Sequence, residues 1–117
     1  MSFTEQLLHF NLSVALARVG GDEDLLREVA ALFLEESADT VAKMRQALEN
    51  RDARSLHRAA HTLKGAASNF GADPTCDAAL NLERMGREGN FDGAEAALTE
   101  LERAMEQLRP HLAQLAE

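Results

Sequence analysis

Apolar residues recur three or four positions apart along almost the whole chain, interrupted only by short clusters of Gly, Asn and Asp. That period belongs to amphipathic α-helices; strands alternate every second residue. The chain is therefore expected to be all-α. Residues 4–19 read as one or two short helices, broken near Asn11 and ended by Gly20-Gly21. Asp22 is placed to cap a long helix over about 22–50, with an apolar stripe running from Leu25 and Leu26 through Leu32 and Phe33 to Leu48. Asp52 can cap a helix over about 52–70, which Gly71 stops. Asp73-Pro74 suits the N-cap and first turn of a helix over about 74–87. After the break at Gly89-Asn90, Asp92 and Glu95 form a candidate capping box for a last helix over about 92–115. Pro110 is expected to kink that helix or end it early.

Four long amphipathic helices with short connections are expected to pack as an antiparallel, up-down-up-down four-helix bundle. The short N-terminal helices then cap one end. A length of 117 residues makes this one domain, 1–117. With no Tyr or Trp and 5 Phe, the core must be largely aliphatic, and Met residues on the stripes serve as filler. The initiator Met and the complete set of helices favour a free-standing protein.

Charge narrows the partners. Acids outnumber bases 20 to 12, a net charge of -8, which repels phosphate backbones and anionic lipid. Nucleic acid and membrane surfaces are therefore not expected as partners. One cysteine, Cys76, excludes an internal disulfide and a cysteine zinc site, and is expected in the core of a cytoplasmic protein. No apolar run is long enough to span a bilayer, and the N-terminus lacks the basic start of a secretory signal.

The helix over 52–70 breaks the acidic pattern, because residues 53–70 hold no acid while Arg54, Arg58 and Lys64 are present. With Leu63 at zero and about 100° per residue, Leu56, Ala59, Ala60, Ala66, Ala67 and Phe70 form the core face. His61 falls at about 160°, facing solvent, with Arg54, His57, Gly65 and Ser68 around it and Lys64 nearby. Gly65 costs about 1 kcal/mol in mid-helix relative to Ala. A solvent-facing glycine beside a histidine leaves a notch for another molecule. An exposed His beside a Lys is by itself an ordinary solvated face; the glycine and the acid-free run set this one apart.

The run Ala60-His61-Thr62-Leu63-Lys64-Gly65-Ala66-Ala67-Ser68-Asn69-Phe70-Gly71-Ala72 resembles the signature of histidine-containing phosphotransfer (HPt) domains of two-component phosphorelays. The family pattern is His, then Lys and Gly three and four residues on, then Gly at ten; here these are His61, Lys64, Gly65 and Gly71. The stretch Leu16 to Leu26 is similar to the family's lead-in to its long helix, and the resemblance covers roughly residues 12–108.

The resemblance implies a phosphoryl carrier without kinase activity. His61 would accept a phosphoryl group at Nε2 from a receiver-domain aspartyl phosphate and pass it to another receiver. Lys64 would offset the phosphoryl charge, and Gly65 would admit the receiver. His57, Arg54, Arg58 and Ser68 would rim the docking face, and Gly71 would serve structure. The family often places a Glu or Gln twenty-two residues after the histidine, which here is Glu83, to orient the ring. Glu83 also lies on an apolar arc with Cys76, Ala79, Leu80 and Leu82, where a carboxylate is unexpected. Response-regulator receivers, and a hybrid sensor histidine kinase, are the implied partners of a monomeric domain. No cofactor of its own is expected, because Mg²⁺ comes with the receiver.

Two other readings compete. A docking-only bundle would usually have lost the histidine, whereas His61, Lys64, Gly65 and Gly71 are intact. A metal-binding bundle could use His57 and His61 at i, i+4, but no third ligand is in register, so no metal is expected. His9 and His111 lack a basic, glycine-notched setting.

Overall fold

The computed structural model describes residues 9–117, so the expected helix over residues 4–8 lies outside the described residues. Among the described residues there are five α-helices and no strand. They are α1 (Leu12–Arg18), α2 (Glu23–Glu49), α3 (Ala53–Ser68), α4 (Asp73–Glu88) and α5 (Ala94–Ala116).

Three helix starts follow directly from short polar side chains. Asn11, Asp22 and Asp52 each accept a hydrogen bond from the backbone N–H three residues on, at Val14, Leu25 and Ser55. Each satisfies one of the donors a helix start leaves unpaired. The other two starts differ from the sequence expectation. Ala72, not Asp73, is the N-cap of α4, and Asp73 and Pro74 lie inside its first turn. There a missing N–H does no harm and a carboxylate meets the positive helix end. Gly93 is the N-cap of α5, in the left-handed region at φ 78, and Asp92 makes no capping box. Its backbone N–H instead donates to Asn90 Oδ1.

Pro110 sits inside α5, which continues to Ala116. An interior proline removes one backbone bond and costs about 3 kcal/mol. Leu108 and Leu112 on either side are fully buried, and burial of a leucine stabilises by about 1.5–3 kcal/mol each. Packing outweighs the break, so the helix does not end early.

The four long helices pack in a ring: α2 on α3, α3 on α4, α4 on α5 and α5 back on α2. The core is aliphatic, with Met44, Leu56, Leu63, Leu82, Leu98, Leu101, Leu108 and Leu112 fully inside. Phe33 and Phe70 meet edge-on inside it, with ring centroids 5.2 Å apart. Arg45 of α2 ties down α5 through Glu95 at 2.7 Å and Glu102 at 2.8 Å. The expected core face of α3 is buried except for Ala66, which is half-buried. Two stripe residues of α2 are not in the core: Leu25 is 41% exposed and Leu32 is 51% exposed. The apolar stripe of α2 is wider than the surface its neighbours cover. Cys76 is also only half-buried, where desolvation pushes its thiol pKa up.

At the turn from α3 to α4, Gly71 has φ +57, and a Cβ there would lie 2.8 Å from Asn11 Cβ. The Asn11 N–H donates to Phe70 O at 2.8 Å beside it. Gly71 thus lets the start of α1 close over the end of α3. Among the described residues no helix is long and apolar enough to cross a membrane.

Candidate functional site

The site lies on the seam between α3 and α4. The buried face of α3 is Leu56, Ala59, Ala60, Leu63 and Ala67, and three of these five are alanines that admit a close neighbour. α4 answers with Gly86. A Cβ at Gly86 would stand 2.6 Å from His57 N and 2.9 Å from Ala53 O, so the two backbones nearly touch there.

One turn before Gly86, α4 carries Glu83, which is only 2% exposed. Its Oε1 accepts from His61 Nδ1 at 2.8 Å and its Oε2 accepts from Lys64 Nζ at 2.5 Å. Arg87 Nη2 lies 3.5 Å from Oε1. An unpaired buried carboxylate would be costly, so these partners account for a charge at this depth. The Lys64 hydrogen bond holds the Glu83 carboxyl below its ordinary pKa; desolvation opposes that shift and the His61 hydrogen bond supports it. The carboxylate is ionised at neutral pH.

That charge decides the state of the histidine. A carboxylate oxygen only accepts, so the neutral His61 ring carries its proton at Nδ1 and a lone pair at Nε2. The side chain is 65% exposed, and Nε2 has no hydrogen-bond partner among the described residues. The arrangement is an oriented imidazole with its nucleophilic nitrogen facing solvent.

The structure divides the remaining sequence candidates. An added Cβ at Gly65 would meet no atom within 4 Å, so the surface beside His61 is open there. Ser68 donates its hydroxyl to Gly65 O at 2.6 Å, one turn back on its own helix. Arg54 and Arg58 are exposed; the Asp52 carboxyl at the helix start is held below its ordinary pKa by hydrogen bonds from Ser55, with smaller help from the charges of Arg58 and Arg54. Arg58 lines a groove against α2 with Lys43 and Thr62, on the other flank of α3 from Glu83. His57 is half-buried rather than out on a rim, and its Nδ1 donates to Glu83 O at 3.2 Å. Its ring lies nearly parallel to that of His61, with centroids 6.3 Å apart and planes 16° from parallel. His111 is buried, against the rings of His9 and Phe10.

Sequence reasoning missed Arg87 and Gly86. Arg87 follows Glu83 by four residues, the spacing of a helical ion pair, and that was a readable signal. Gly86 carried only the weak signal of a mid-helix glycine. The acid-free stretch of α3 is also not acid-free in space, because α4 brings Glu83 beneath it. Among the described residues no group of three or more His, Cys, Asp or Glu could hold a metal ion.

The family model of the Hpt domain matches residues 28–111. The chain belongs to the Hpt domain family. Among solved structures, it is similar to histidine-containing phosphotransfer protein B (HptB) of Pseudomonas aeruginosa, at 27% identity and a TM-score of 0.84, over 91% of this chain and 92% of that one. The HPT domain of a sensor hybrid histidine kinase from Shewanella shares the fold, with a TM-score of 0.79 at 22% identity, over 93% of this chain and 94% of that one. Among curated proteins there is no significant match. Membership of the Hpt family gives the chain a histidine phosphotransfer role in phosphorelays.

Proposed function

We propose that this Hpt chain takes a phosphoryl group from the aspartyl phosphate of one receiver domain and passes it to the aspartate of another. The observation that carries the reading is His61, whose Nδ1–H is held by buried Glu83 while Lys64 occupies the other carboxylate oxygen. The Nε2 lone pair attacks phosphorus. An N–P bond forms as the P–O bond to the donor aspartate breaks, and that aspartate leaves as a carboxylate. The Nδ1 proton stays on the ring, so the positive charge of the phosphorylated imidazole faces Glu83. Attack by the next receiver's aspartate reverses these bonds and restores the neutral ring. Lys64, three residues after His61, offsets charge on the phosphoryl oxygens. Such a transfer depends mainly on positioning and electrostatics, which suits a small scaffold.

Gly65 leaves the approach to His61 open, with Arg54, Arg58 and Ser68 as a polar docking rim. Mg²⁺ arrives with the receiver, and the chain carries phosphate without acting as a kinase. A hybrid sensor histidine kinase is a source of the donor receiver. The chain works as a single cytoplasmic domain, as a monomer. Connections confined to residues 50–52, 69–72 and 89–93 support an antiparallel four-helix bundle, because such short links join neighbours that run in opposite directions.

Incubation with a phosphorylated receiver should label His61 alone, and the label should be acid-labile and base-stable. ATP and Mg²⁺ without a receiver should leave the chain unlabelled. Label that survives His61→Gln, or maps to His57 or His111, overturns the assignment.

A further inference from the structure

We propose that His57 is a positioning residue for His61, acting through the backbone of Glu83. His57 and His61 are one helical turn apart on α3, and both reach the same residue of α4. His57 Nδ1 donates to the backbone oxygen of Glu83 at 3.2 Å, and His61 Nδ1 donates to its carboxylate at 2.8 Å. Helix geometry makes this possible. A helical carbonyl points toward the C-terminus of its helix, while the side chain leans toward the N-terminus. One residue therefore presents an acceptor to each of two successive turns on the neighbouring helix.

The two contacts fix α4 along α3. A slide of one residue moves α4 by about 1.5 Å, enough to stretch and misalign both contacts at once. Gly86 fixes the other direction. A Cβ there would stand 2.6 Å from His57 N, so only its absence lets the two backbones pack this closely, and His57 is held by backbone packing as well as by its ring. Without the His57 bond, the long Glu83 side chain remains pinned at its tip, by Lys64 and His61 and more loosely by Arg87 from its own helix. Lys64 is 30% exposed and His61 is 65% exposed, so both are less rigid anchors than a backbone contact. His57 itself touches no phosphoryl group in this account. It acts by keeping the Glu83 carboxylate where His61 must hold its proton at Nδ1.

The inference rests on His61 as the phosphoacceptor, and the test separates the two. Long-range ¹H–¹⁵N spectra of the labelled chain report which nitrogen of His61 bears the proton, without any transfer assay. His57→Leu removes the donor. His57→Asn keeps an N–H the same number of bonds from Cα as Nδ1. The expected result is an Nδ1–H tautomer at His61 in the native chain and in His57→Asn. His57→Leu should show a substantial Nε2–H population and transfer from a phosphorylated receiver slowed about tenfold. If His57→Leu fails to fold, His57→Gln, whose donor sits one bond too far, takes its place. An unchanged His61 tautomer in the donor-less variant overturns the proposal, even if receiver affinity falls, because His57 would then be a docking residue. His57→Asn behaving like His57→Leu overturns it too. Failure of the native chain to be labelled on His61 would sink the phosphoacceptor reading while leaving the tautomer result legible.

Discussion

Replacing Glu83 by Gln keeps shape and removes one charge, which makes it a sharp probe of the seam. The carboxylate accepts from His61 Nδ1 at 2.8 Å and from Lys64 Nζ at 2.5 Å, and it is 2% exposed. A glutamine has one acceptor oxygen and one NH₂, so it can serve only one of these donors. If the oxygen turns to Lys64, the NH₂ faces His61 and favours the tautomer with its proton at Nε2, where the nucleophilic lone pair is needed. If it turns to His61, the NH₂ faces an ammonium. Either way one charge-assisted bond is lost, worth about 1.5–3 kcal/mol. Partial exposure of Lys64 and His61 lowers the effect on folding to about 1–2 kcal/mol. For a chain of this size that is a fall in Tm of about 4–8 °C. Transfer should slow about ten- to a hundredfold, since the ring loses its orientation and its counter-charge.

The pH dependence gives a second reading of the same substitution. The folded pKa of Glu83 is lowered, so between the folded and unfolded values the unfolded chain binds more protons. Its contribution is full above the ordinary Glu value of about 4.3 and disappears as pH falls through the lowered folded value. Melts of the native chain and Glu83→Gln should therefore differ at pH 7 and converge in acid. Equal Tm at pH 7 together with an equal transfer rate would refute the account of the seam.

Two other substitutions test the glycines. Gly65→Gln replaces a residue with nothing within 4 Å of its Cβ position and removes a mid-helix glycine. Thermal melts should show stability equal or up to about 1 kcal/mol higher, while transfer from a labelled receiver falls; normal transfer would refute the open-approach argument. Gly86→Ala puts a methyl 2.6 Å from His57 N and should destabilise by about 1–3 kcal/mol in a denaturant titration, despite the better helix propensity of Ala. A neutral or stabilising result would show that α3 and α4 are not packed backbone to backbone.

Helix boundaries were legible wherever a side chain near in sequence does the capping. Asp22 and Asp52 cap α2 and α3 through local bonds that need no partner helix. The core face of α3 was legible because its alanines and leucines keep one angular sector. The starts of α4 and α5 were less so, since Ala72 and Gly93 cap them without a side-chain bond. The passage of α5 through Pro110 depends on buried Leu108 and Leu112, which local propensity does not weigh.

By itself the sequence determined the helical class, the motif of His61, Lys64, Gly65 and Gly71, and the outward direction of His61. These follow from residues within a few turns of one another, so a 100° step per residue suffices to place them. Only the tertiary structure decided which neighbour each face meets. An angular position on α3 does not tell whether α2 or α4 stands beside it. Packing put Glu83 under His61 and Lys64, turned His57 toward the same residue, set Arg58 on the α2 flank and left Leu25 and Leu32 exposed. The ionised, buried Glu83 is the clearest case. Its burial is tolerable because Lys64, nineteen positions earlier in the chain, meets it across the seam together with His61, and Arg87 lies beside it.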